Sequence, residues 1–210
     1  MKKIIYFLIF IFIQTSITAQ NLPIKKSDYL RIDNNKEKDP VVGSTYLAKT
    51  FKPLIIKTRD NKIGKFKSGN YNIKKGKFFT KTVEGNFSID DTSVTEIVFL
   101  GYRFKKINDQ YYAFPFKERI DIVKKYELHI QSGPKDPLSK AKIKPDSYVV
   151  KEAYYLLNKE GEPESFKLKK KNILSLFSKE KSSSIKKYMK ENKLSYRKEK
   201  DLKVLFSNIK

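Results

Sequence analysis

The sequence predicts an α+β protein: an antiparallel β-meander, as an open sheet, roll or barrel, followed by a hairpin and a small three-helix cap. Two patterns and one interruption carry that prediction. Between residues 41 and 130, short apolar alternations recur at roughly 8–12-residue spacing, broken by Gly, Asn and Asp, as in a meander. Between residues 173 and 209 the apolar residues fall instead at i, i+3, i+4 and i+7, the helical period. Between the two, "QSGPKDPLSKAKIKPD" holds three prolines, one glycine and almost no large apolar side chain.

The elements follow in chain order. Residues 1–19 read as a secretory signal peptide: Lys2 and Lys3 precede the apolar run "IIYFLIFIFI", and Ala19 offers a small residue for cleavage. That run is shorter than the ~20 residues needed to span a bilayer, and no later stretch approaches that length, so no transmembrane span is expected after cleavage. No cysteine follows the run, which excludes a lipidated N-terminus. Residues 20–40 form a polar lead-in, and residues 41–130 the β domain. Within the latter, "RDNK", "SGN" and "KKG" mark turns, and "RIDIV" and "YELHI" flank a turn at Lys124-Lys125. Tyr102, Phe104, Tyr112, Phe114 and Phe116 sit on alternate positions of two runs joined by "INDQ", predicting one aromatic face of a hairpin.

Residues 131–147 read as a linker or long crossing loop, because proline removes ladder donors and extends its predecessor. Residues 148–210 give a hairpin turning at "KEGE", then the basic cap. There Ile173 and Phe177, Ile185 and Met189, and Leu202, Leu205, Phe206 and Ile209 form narrow stripes. Serines before Ile185 offer an N-cap, and Glu199 and Asp201 put negative charge in the first turn of the last helix. Helices this short need a surface to pack on, so the tail reads as a cap rather than a free arm.

Composition narrows the chemistry. With no cysteine, stability must come from packing, and thiolate nucleophiles and thiolate metal sites are excluded. The net charge of +23 points to anionic partners. Yet only five of the 46 basic residues are arginines, and alanine is equally scarce, a bias that AAA-rich codon usage produces. Phosphate and nucleic-acid recognition leans on the bidentate arginine fork, so no specific nucleic-acid partner is expected, only weak binding to anionic envelope polymers.

His129 is the only histidine; it alternates with Leu128 and Ile130 and should face solvent, without the ligands that a zinc site or triad requires. Asp90 and Asp91 match an Asx turn, and Glu160, Glu162 and Glu164 flank a hairpin turn. No glycine-rich phosphate loop is present, and no cofactor is expected. The candidate binding surface is the aromatic hairpin, where Tyr102 and Tyr112 beside Arg103, Lys105 and Lys106 could stack sugars or hold a polyanion.

Three stretches, "GSTYLAKTFKP", "YYLLNKEGEPESFKLKKKNILSLF" and "IKKYMKENKLSYRKEKDLKVLF", resemble a group of small exported proteins of unknown function from Bacteroidota. The resemblance covers most of residues 41–210 and brings no catalytic residues with it. It implies export, to the periplasm or beyond the cell, and the chain lacks the glycine-rich β module that tags proteins of that phylum for surface sorting. The residues favour a non-enzymatic binding or interaction protein; the alternative is a hydrolase of an envelope polymer acting through carboxylates.

Overall fold

The computed structural model describes residues 30–32, 40–83, 85–89, 92–119 and 121–209. The signal peptide, nearly all of the lead-in, and Asp90 and Asp91 lie outside the described residues. Eleven strands are described: β1 (Leu30–Ile32), β2 (Lys52–Thr58), β3 (Ile63–Asn72), β4 (Lys77–Thr82), β5 (Gly85–Ile89), β6 (Val94–Phe99), β7 (Tyr102–Ile107), β8 (Gln110–Phe114), β9 (Ile122–Gln131), β10 (Ser147–Leu157) and β11 (Pro163–Phe166). They form one antiparallel sheet in the order β1-β5-β4-β3-β2-β6-β7-β8-β9-β10-β11. β1 lies at one edge beside β5; from β2 in the middle the chain meanders outward to β5, then returns to β6 on the other flank of β2.

That return forces the sheet to curl. Four residues join Ile89 to Val94, across four strand positions. A flat sheet would separate the two strands by ~19 Å, and the link reaches only ~17 Å. Curling brings Leu54, Phe78, Ile89, Ile97, Phe104, Ala113 and Tyr126, from seven strands, into a single buried cluster. Phe78 is its hub, with Phe104 and Tyr111 edge-on at ring-centroid distances of 5.2 and 5.1 Å. Such pairs add to the gain from area burial alone.

Gly69 marks where β3 changes partners, pairing with Lys52 of β2 and Thr80 of β4. A Cβ there would lie 2.0 Å from Leu54 Cδ2. "SGN" is thus a bend inside one ten-residue strand, not the expected turn. Its Asn70 is buried because its amide stands in for a strand partner: Oδ1 accepts from Ala48 N at 3.1 Å, and Nδ2 donates to Ala48 O at 2.8 Å. Ahead of Ala48, the segment 42–47 straps the sheet, with Val42 bridging to Ser147 and Tyr46 to Asn72.

Lys124-Lys125 is also not a turn. β9 runs straight through it and pairs with β10 from Gln131↔Ser147 to Ile122↔Leu156. The loop between them is pinned by Asp146, whose Oδ1 accepts from Gly133 N and Lys142 Nζ.

The cap comprises α1 (Lys170–Leu174), α2 (Lys179–Glu191) and α3 (Glu199–Asn208). Ile173, Ile185, Met189, Leu202, Leu205 and Phe206 are buried with Phe116, Ile122 and Phe166, making a second core on the β9–β11 end of the sheet. Burying each such side chain stabilises the fold by roughly 1.5–3 kcal/mol. The N-cap of α2 is Ser178, which accepts from Lys181 N. The serines before Ile185 lie inside the helix, and Ser183 and Ser184 bond back to the carbonyls of Lys179 and Glu180.

Candidate functional site

The β7–β8 hairpin turns on Asn108 and Asp109, both with positive φ (47° and 59°), and Ile107 pairs with Gln110. A two-residue turn of this kind suits the right-handed twist of the strands. It also fixes parity. Tyr102, Phe104 and Lys106 share a face with Tyr111 and Ala113, while Arg103 and Lys105 share the opposite face with Tyr112 and Phe114. The expected single aromatic face is therefore split in two, because the loop length, not the strand alternation, decides which residues meet.

Tyr102 reaches toward the cap. Arg103 lines a hollow of about 380 Å³ with Phe114, Lys117 and Glu118. Lys105 lies 5.7 Å from the Phe114 ring centre and 3.9 Å from Glu96. Tyr112 is buried, edge-on to Tyr155 at 5.6 Å. Lys106 pairs with Asp109 at 3.0 Å and lines a cleft with the β3–β4 turn. The five residues do not converge on one surface.

Two polar assemblies that the sequence reading missed do converge. The first is a buried clasp between sheet and cap. Lys124, 1% exposed, sits on the inward face of β9 between Ile122 and Tyr126, so it falls at the joint of the two cores. Its Nζ lies 2.8 Å from Glu199 Oε2 and 3.2 Å from Glu152 Oε1, and 4.3 Å from the Tyr102 ring centre. Glu199 opens α3 and receives four donors. Oε1 accepts from Tyr102 at 2.8 Å and Lys203 at 2.9 Å; Oε2 accepts from Lys124 and from Tyr154 at 2.8 Å. A carboxylate has about four lone-pair sites, so this one is fully satisfied.

Burial alone would raise the Glu199 pKa, but the hydrogen bonds from Lys124 and Lys203 outweigh it and hold the carboxyl at about 2. Burial would likewise lower the Lys124 pKa, and the bond to Glu199 instead raises it above the ordinary lysine value. Acid–base catalysis needs groups poised near the working pH. These two are driven away from it, which suits a structural tie.

The second assembly is a cleft of about 720 Å³ at one mouth of the curled sheet. Its walls are the β3–β4 turn, the β7–β8 turn, residues 125–130 of β9 and Tyr148. Lys74, Lys75, Lys77, Lys106 and Lys125 line it, against Asp109 and Glu127. Lys74 Nζ stands 6.0 Å above the Tyr148 ring. Tyr71 and Tyr126 form apolar wall, and burial pushes both phenols up to about 12, so they remain neutral. His129 is exposed as expected, 3.4 Å from Glu127 Oε2 on the cleft's rim.

The cleft exists because β8 and β9 part company. They pair only at Ala113↔Lys124, and β9 then runs on past the β7–β8 turn. A separate hollow of about 650 Å³ on the cap is lined by Lys169, Lys170, Lys171 and Arg197. Among the described residues, no group of three or more His, Cys, Asp or Glu side chains is placed to hold a metal ion. Nor is any described helix long and apolar enough to cross a membrane.

The fold and site thus define an antiparallel, curled-sheet protein with a helical cap and a lysine-lined mouth. No family model, no curated protein and no solved structure matches the chain.

Proposed function

We propose that this is an exported, non-catalytic binding protein of the cell envelope that holds an extended anionic polymer in the mouth cleft. The observation that carries the reading is the cleft lining, five lysines and three tyrosines against two carboxylates. Lysine stems cover apolar wall while their ammonium groups reach an anion, and tyrosine faces suit sugars or chain atoms. The Lys2-Lys3, Ile4–Ile13 and Ala19 leader supports export. Intact mass of protein from the extracytoplasmic fraction should begin at Gln20.

The test is a salt titration of binding to polyglutamate, heparin and DNA, comparing Lys77→Ala/Lys125→Ala with Lys170→Ala/Lys171→Ala. Both pairs remove the same charge, but only the first lies in the cleft. The cleft pair should weaken binding and flatten the salt slope by about two; the cap pair should leave the cleft-bound fraction unchanged. Equal effects of the two pairs would reduce the binding to diffuse surface charge. Release of shortened polymer by the unmodified protein, lost in Asp109→Asn or Glu127→Gln, would favour the hydrolase reading instead.

A further inference from the structure

Among the described residues, β9 is an interior strand with one edge left unpaired over part of its length. On one side it pairs with β10 along its length, from Ile122 to Gln131. On the other, β8 bridges it only at Ala113↔Lys124. From Lys125 to Ile130 that second edge borders the cleft. Main-chain N–H and C=O groups of a strand point alternately to its two sides. About half of those in this stretch therefore point into the cleft, in extended geometry fixed by the pairing with β10.

Resting on the reading of the cleft as an anion site, we propose that its ligand is an acidic polypeptide segment. It binds in extended form as an added strand along β9. The exposed length is about 20 Å at ~3.3 Å per residue, which matches an ordinary strand of five or six residues. Main-chain bonds to β9 supply affinity, and alternate side chains supply selectivity. Lysines beside an open edge repel casual strand pairing. Lys77 from the β4 side and Lys125 on β9 itself make an acidic segment the partner whose charge fits. A polysaccharide offers the charge but not the regular donor and acceptor ladder.

The test uses the full mature chain and three blocked nine-residue peptides. One alternates Glu and Val; the other two carry N-methyl groups on alternate residues, one set on the Glu positions and one on the Val positions. The Glu/Val alternation pins the register, because slipping by one residue would reverse the faces. Strand addition predicts that one methylated peptide loses at least tenfold in affinity while the other binds like the parent. Hydrogen exchange should slow at alternate amides between Lys125 and Gln131 in the presence of the parent peptide. Equal behaviour of both methylated peptides, or heparin binding with no peptide binding, overturns strand addition and leaves the anion-site reading standing. Failure of peptide, polyglutamate and heparin alike removes the anion site itself.

Discussion

Lys124 and Lys125 are neighbours on β9, and their environments could hardly differ more. Lys124 faces inward, is 1% exposed, and is held by Glu199, Glu152 and the Tyr102 ring. Lys125 faces the other way and lines an open cleft. Both sites are built from lysine, tyrosine and carboxylate. In the first, every donor already has an acceptor within the fold, so desolvation is compensated internally and nothing remains for a ligand. The second is open to solvent, and there an ion pair such as Lys106 with Asp109 is weak per contact and screened by salt. Residue type does not separate structural from binding chemistry here; burial does.

The comparison breaks most visibly at Lys124. Lys124→Ala leaves the Glu199 carboxylate buried with half of its cationic support removed. Uncompensating a buried pair in this way costs roughly 3–5 kcal/mol, and chemical denaturation should show a loss of that size. Restoring bulk and removing the charge opposite, as Lys124→Met with Glu199→Gln, should recover much of it. If the single substitution leaves stability unchanged, the clasp is not the tie described here.

A smaller effect sharpens the same contrast through pH. The Glu199 pKa is depressed in the folded state, to about 2 from an ordinary 4.5. Its contribution is therefore fully present above the unfolded value and is lost as pH falls from about 5 toward 2. The shift corresponds to roughly 3 kcal/mol. Acid-induced loss of stability over that window should be reduced in Glu199→Gln, which starts lower at neutral pH. Parallel curves for the two proteins would assign the acid sensitivity to other carboxylates.

Much of the architecture was legible in the sequence, for identifiable reasons. The strands at "KFFTKT" and "VTEIVF" and the "KEGE" turn follow from alternation and turn chemistry. The cap follows from its stripes, since Ile173, Leu202, Leu205 and Phe206 are all buried. What failed were features set by long-range partners. Gly69 looks like a turn residue because nothing local reveals that Leu54 crowds its Cα. Lys124 looks like a break because its inward position depends on distant partners, above all Glu199, 75 residues away. An inward-phased lysine in an otherwise apolar alternation was the available signal; its partner carried none. The cleft was invisible for the same reason, since Lys74, Lys106 and Lys125 come from three separate turns and strands.

The smallest expected effect tests the split of the β7–β8 hairpin. Lys105 and Lys106 are adjacent, equally charged and both half-exposed, but parity sends them to opposite faces. Only Lys106 borders the mouth cleft; Lys105 leans over Phe114 near Glu96. Composition and net charge change identically in Lys105→Ala and Lys106→Ala, so any difference between them reports position alone. Lys106→Ala should lower polyglutamate affinity by about threefold to tenfold and reduce the salt slope by about one, as loss of a single ionic contact does. Lys105→Ala should leave both within error, and neither substitution should shift stability by more than about 0.5 kcal/mol. The measurement is one binding isotherm per variant at two salt concentrations. Should the two variants weaken binding to the same extent, the ligand is reading the hairpin as a whole, and the mouth cleft loses its claim to be the site.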